Sequence, residues 1–202
     1  MKISLYALAV TATLAAALPE TALARGEARV EAQVGWDQLG QGTNAPKNPL
    51  GDTKANGVTY GGNIGYDVPV APRVSLGVDA AVSGTTSGMD NYGGTTVFKV
   101  GRDIYAGARV TLHATPNLRV YAKVGYANAR FTSNQGAHPD ASHGGHTVFD
   151  SDYVRNNDGV RAGVGLQYTL IGPVYALAEY RYTHYSEQIS RNQVVTGVGL
   201  RF

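Results

Sequence analysis

Ala28-Arg29-Val30-Glu31-Ala32-Gln33-Val34-Gly35-Trp36-Asp37 is the stretch on which the fold of this 202-residue chain turns. Apolar residues stand at 28, 30, 32, 34 and 36. Arg29, Glu31, Gln33, Gly35 and Asp37 stand between them. Successive side chains of a β-strand point to opposite faces, whereas a helix gathers residues three and four apart. The run alternates without an error, which predicts a strand with one greasy face and one polar face.

The same alternation recurs seven times, over 58–68, 74–83, 98–112, 118–126, 160–169, 174–183 and 194–202. In the second run Val58, Tyr60, Ile64, Tyr66 and Val68 share a face and Asp67 falls on the other. In the fourth, Arg102 lands on the apolar face, a departure tolerable near a headgroup layer. Eight strands is the even number that a closed antiparallel barrel with both termini on one side requires.

The connections sort themselves by length. Runs two and three, four and five, and six and seven are joined by short Pro-containing links at 69–73, 113–117 and 171–173. The alternate connections, 39–56, 84–97 and 132–157, are long and polar; the last, 186–192, is short. Tight turns on one rim and long loops on the other is the layout of an outer-membrane barrel, with the long loops outside.

Alternation alone does not say which face is inside. An eight-stranded barrel encloses a volume only just filled by side chains. The face carrying Arg29, Glu31, Asp79, Lys99, Asp103, Arg109, Arg119, Lys123, Arg161, Glu179, Arg181 and Arg201 mixes long charged residues with glycine and small polar ones, which suits such a lumen. These twelve are expected to form an ion-pair network that plugs the barrel, the alternative being a conducting polar pore. The bulkier apolar face is expected to meet lipid. Tyr66, Tyr168 and Phe202 would make an aromatic girdle at one rim, and Trp36, Phe98, Tyr126 and Tyr182 another towards the other.

The first residues read as an address. Lys2 is followed by a nearly unbroken apolar run over 3–18, then Pro19, Glu20 and the small-x-small triplet Ala22-Leu23-Ala24. The run falls short of the ~20 residues of a spanning helix, so a signal peptide cleaved after Ala24 is expected. The domains are then 1–24, signal peptide, and 25–202, barrel. Removing 1–24 takes out one base and one acid and leaves the formal net charge at +2. With no basic cluster, nucleic acid is not an expected partner. There is no cysteine, so an exported chain must be held by its own hydrogen bonds and packing. The 26 glycines and 13 tyrosines suit curved strands and membrane interfaces.

Ala178-Glu179-Tyr180-Arg181-Tyr182-Thr183 and Val195-Thr196-Gly197-Val198-Gly199-Leu200-Arg201-Phe202 carry a resemblance that spans the mature chain. The sequence resembles the small outer-membrane β-barrels, the opacity-type and OmpA-like "porin family" proteins. That resemblance implies a non-enzymatic barrel in the Gram-negative outer membrane with a structural or surface-interaction role through its loops. A small-solute porin is the alternative. It also implies lipid and lipopolysaccharide as surroundings, a monomer, possible surface ligands at the loops, and a terminal Phe202 read by the barrel-insertion machinery.

Two constellations invite chemistry. His138, His143 and His146 crowd the third long loop beside Asp140, but a Gly/Ser/Asp-rich loop offers no rigid ligand geometry, and neither a metal nor any cofactor is expected. His184 and Ser186 are two apart and so share a strand face, as a base and nucleophile must. This His-x-Ser resembles that of outer-membrane lipid A deacylases, which need a carboxylate on the neighbouring last strand. Residues 193–202 contain neither Asp nor Glu, and Glu187 falls on the opposite face from His184, so no enzyme is expected.

Overall fold

The computed structural model describes residues 26–41, 54–90, 96–133, 138–139, 147–148, 153–186 and 189–202. Eight long strands form the wall: β1 (Glu27–Gln41), β2 (Lys54–Ala71), β3 (Val74–Thr85), β4 (Thr96–His113), β5 (Leu118–Ser133), β6 (Tyr153–Ile171), β7 (Val174–Tyr185) and β8 (Ile189–Arg201). Each pairs antiparallel with its neighbours in sequence. β1 pairs with β8 from Arg29↔Arg201 to Gln41↔Ile189, which closes the ring. Closure leaves the eight-stranded wall without a free edge, the condition for strands to cross a bilayer. The strand Gly88–Asp90 extends the β3–β4 hairpin, and His138–Pro139 pairs with Thr147–Val148 in a separate small ladder.

The turns at one end are tight. β2 passes to β3 through Pro72-Arg73, and β6 to β7 through Gly172-Pro173, where Gly172 takes φ 52°, a left-handed conformation that glycine adopts without steric cost. Residues of these turns also bond across to the next strand: His113 N–H donates to the Arg73 carbonyl (2.8 Å), Thr169 N–H to that of Asn117 (2.8 Å) and Arg201 N–H to that of Pro173 (3.1 Å). The start of β1 and the end of β8 meet here, with Ala28 and Phe202 exchanging two backbone hydrogen bonds of 3.1 and 2.9 Å.

At the other end the strands run further than alternation indicated. β1 continues to Gln41, β2 begins at Lys54, β6 at Tyr153 and β8 at Ile189. One phase change corrects the sequence reading. The β4–β5 register shifts between Val100 and Asp103, so the continuous alternation expected across 98–112 does not run through. Val100 pairs with Phe131, a buried residue, and Lys99 pairs with Thr132. A β-bulge inserts an unpaired residue and resets the two-residue phase.

Polarity is reversed relative to a water-soluble protein. Ile64, Val160 and Val164 are 60, 61 and 56% exposed on the outer wall, while Arg29, Asp37, Asp79 and Arg191 are at most 2% exposed inside. Trp36, Tyr168, Tyr182 and Phe202 are exposed on the outside, and Tyr66 and Tyr126 half-exposed. The side chain of Phe98 lies outside the described residues. An apolar outer wall around an ionised interior is stable when the surrounding solvent is hydrocarbon.

Candidate functional site

The lumen is the most chemically dense part of the molecule. Among the described residues, twelve ionisable side chains of opposite sign are buried there: Arg29, Arg109, Lys123, Arg161, Arg181 and Arg191 against Glu31, Asp37, Asp67, Asp79, Asp103 and Glu179. The six bases balance the six acids. A buried ion costs several kcal/mol unless it is both paired and hydrogen-bonded, so the arrangement stands or falls on its geometry.

At the turn-side mouth Glu27 receives two hydrogen bonds from Arg119 (2.5 and 3.1 Å), and Arg201 Nε stands 3.5 Å away. These three are half-buried and form the lower rim. Above them Arg29 bridges Asp67 (2.9 Å) and Asp79, while Arg109 lies 3.6 Å over the ring of Tyr121 with Nη1 3.8 and 3.9 Å from Glu31 and Asp79. Glu31 accepts from Gln33 (2.7 Å), Asn63 (3.0 Å), Gln167 (2.9 Å) and Tyr175 (2.8 Å), partners contributed by β1, β2, β6 and β7. One carboxylate therefore ties opposite walls together.

Higher up, Glu179 joins Lys123 (2.7 Å), Arg181 and the Tyr121 hydroxyl (2.6 Å), and Arg181 reaches across to Gln33. The ring of Tyr105 separates this group from the next, with Lys123 5.2 Å and Arg161 5.5 Å from its centroid. Asp103 then takes both Arg161 (2.5 Å) and Arg191 (2.5 Å), and Arg191 forks onto Asp37. Asp37 also accepts from Thr85 (2.6 Å) and Ser87 (3.0 Å). The loop-side end of the interior is apolar: Leu39, Ala55, Ala129, Phe131 and Ile189 are buried together with Tyr185, whose ring meets that of Phe131 edge-on at 5.7 Å.

The structure thus places Arg29, Glu31, Asp79, Asp103, Arg109, Lys123, Arg161, Glu179 and Arg181 in the buried interior, and Arg119 and Arg201 at its lower rim. The side chain of Lys99 lies outside the described residues. Alternation missed four network members, the first being Glu27, which stands one residue before the first run and in phase with Arg29. Asp37 and Asp67 sit on the polar faces of the first two runs but carry no mark as ion-pair partners. Arg191 falls in a stretch that read as a loop. Its place two positions before Gln193, in phase with the polar face of the last strand, was the available signal.

The remaining candidates are the three loop histidines and the pair His184 and Ser186. His143 and His146 lie outside the described residues, as does the side chain of His138. Among the described residues no group of metal-ligating side chains is gathered. His184 and Ser186 are both exposed on the outer wall. Ser186 Oγ donates to the Asp158 carbonyl (3.1 Å), and His184 makes no hydrogen bond or ion pair among the described residues. Glu187, and residues 1–24 with Ala22 and Ala24, lie outside the described residues.

The sequence matches the family described as outer membrane protein beta-barrel domain over residues 5–202. Among solved structures, the chain is similar to Neisserial surface protein A (17% identity, covering 87% of this chain and 97% of that one, TM-score 0.57). It is similar to Ail, the attachment invasion locus protein of Yersinia pestis, in complex with the heparin analogue sucrose octasulfate (15%, 88% and 99%, 0.54). It is also similar to OprG of Pseudomonas aeruginosa (10%, 88% and 96%, 0.51). A comparison with curated protein sequences gave no match.

Proposed function

We propose that this chain, which belongs to the outer membrane protein beta-barrel domain family, is a non-enzymatic barrel closed along its axis by ion pairs, whose work is done at its outer surface. The observation that carries the reading is the cross-lumen bonding of Glu31 and Arg191, which draws five strands onto two side chains. A solute channel needs a continuous wet path. Here each level of the interior is spanned by paired charges or filled by tyrosine rings and by Leu39, Phe131 and Ile189.

The closed barrel then serves as a rigid stake in the membrane. The connections over 42–53 and 134–152, rich in Gly, Asn, Ser and Thr, are the parts with the composition to engage a surface partner or to support the envelope. The likeness to Ail and Neisserial surface protein A gives this reading its direction. Phe202 would be the residue that the insertion machinery reads.

Planar-bilayer recording of the purified protein tests the closed lumen. Brief, rare openings are expected, and sustained nanosiemens-scale steps would establish the small-solute pore instead. Deleting 42–53 or 134–152 is expected to abolish binding to cell or glycan surfaces while leaving membrane insertion intact.

A further inference from the structure

The outer wall near the loop-side end carries polar groups that mostly satisfy one another. Gln38 donates to Asn56 (3.2 Å), Tyr180 to Asn192 (2.7 Å), and both Tyr126 and Asn128 (2.7 Å) to Asp158. Arg102 and Arg130 stand apart from this scheme. Both are exposed on the outer wall, and neither makes a hydrogen bond or ion pair among the described residues.

The bulge in β4 brings them together. Val100 pairs with Phe131 and Asp103 with Ala129, so the two residues Gly101 and Arg102 lie opposite the one residue Arg130. A β-carbon added at Gly101 would lie 3.9 Å from that of Arg130, which places the bulge on the side of the wall from which Arg130 projects. The next outward residue of β4 towards the turns, Ile104, is already in the lipid-facing apolar belt. The outward residues beside Arg130 are Asn128 and, across the β5–β6 pairing, Asn156. The nearby acid, Asp158, is occupied by Tyr126 and Asn128.

Arginine facing lipid is costly at mid-bilayer and nearly free at headgroup depth. Two arginines on neighbouring strands at this depth are best accommodated with an anion between them, and a guanidinium fork fits phosphate oxygens in pairs. With the long loops outside, the leaflet at this depth is the outer one, whose phosphorylated lipid in a Gram-negative envelope is a glycolipid.

We propose that Arg102 and Arg130 form a binding site for a phosphate of the outer-leaflet glycolipid, built by the β4 bulge. The site rests on the chain's residence in the outer membrane but not on the closed lumen, so conductance could be found without touching it.

Native mass spectrometry of detergent-refolded protein incubated with bisphosphorylated lipid A, dephosphorylated lipid A or phosphatidylglycerol tests it. Wild type is expected to retain bisphosphorylated lipid A about tenfold better than R102Q/R130Q, given the attraction of two basic residues to an anionic surface. Dephosphorylated lipid A and phosphatidylglycerol should be held weakly and equally by both proteins. R130Q alone, which leaves the bulge sequence intact, should show a partial loss and carries the test if the double variant fails to fold. Equal retention of bisphosphorylated lipid A by wild type and both variants overturns the site, and so does phosphatidylglycerol binding as strong as that of lipid A.

Discussion

Arg191 and Asp37 face each other across the seam where the last strand meets the first, joined by two parallel hydrogen bonds of 2.7 Å, Nε to Oδ1 and Nη2 to Oδ2. The third nitrogen of the same guanidinium, Nη1, reaches Asp103 on β4 at 2.5 Å. The pair is fully buried. A bidentate fork of this kind fixes geometry as well as charge.

Breaking one half of that pair should be far worse than removing both. Asp37→Ala leaves the buried Arg191 short of its main partner and is expected to cost about 3–5 kcal/mol of unfolding free energy. The apolar double variant D37L/R191M should recover most of that loss, because Asp103 keeps Arg161. Urea titrations of protein folded into lipid vesicles measure both. A double variant no more stable than Asp37→Ala would show that the fork is worth more than a packed apolar replacement.

The outer wall makes an equally sharp demand. Ile64 and Val164 are exposed on strands that face lipid. Ile64→Arg or Val164→Arg is expected to lower stability by about 2–4 kcal/mol if the residue lies near the bilayer midplane. Folding yield and urea midpoint in vesicles report this. Unchanged stability would mean that these residues do not meet hydrocarbon.

Tyrosine rings need glycine opposite them. Tyr175 pairs with Gly199, and a β-carbon at Gly199 would fall 2.4 Å from the Tyr175 ring. The ring is held by its hydroxyl on Glu31 (2.8 Å) and by Arg201 stacked at 4.1 Å. Gly199→Ala is therefore expected to cost about 1–3 kcal/mol through overpacking. In combination with Tyr175→Ala, which empties the space, the same substitution should be nearly neutral. Thermal unfolding of the single and double variants in micelles gives the comparison.

The exposed His184 and Ser186 lead to a biochemical expectation. With no orienting carboxylate on the imidazole among the described residues, wild type and Ser186→Ala should both leave lipid A fully acylated. Mass analysis of lipid A after incubation is the check; fatty acid released by wild type alone would revive the hydrolase.

Much of the site was legible in the alternation, because a strand's period of two assigns every residue between its first and last to one of two walls. Glu31, Asp79 and Arg161 fall on one wall by that period alone. Arg191 could not be so placed, since a strand that extends beyond its membrane-crossing part no longer needs a greasy outer face to mark it. Leu39, Phe131 and Ile189 were equally hidden: they are apolar on the inner face, where the pattern leads one to expect charge. The phase reset at Gly101-Arg102 had only a misplaced arginine as its sign.

The linear order of residues by itself determined that eight strands form, which residues share a face along most of each strand, and that the turns of one rim are short while three connections of the other are long, since these follow from local period and turn chemistry. Ring closure decided the rest. Only when β8 docks on β1 does Arg191 meet Asp37, and only a curved wall brings Glu31 within reach of Gln167 and Tyr175, residues 136 and 144 positions away. Which charges neutralise one another is a property of distances across the enclosed space, and no one-dimensional pattern contains those distances.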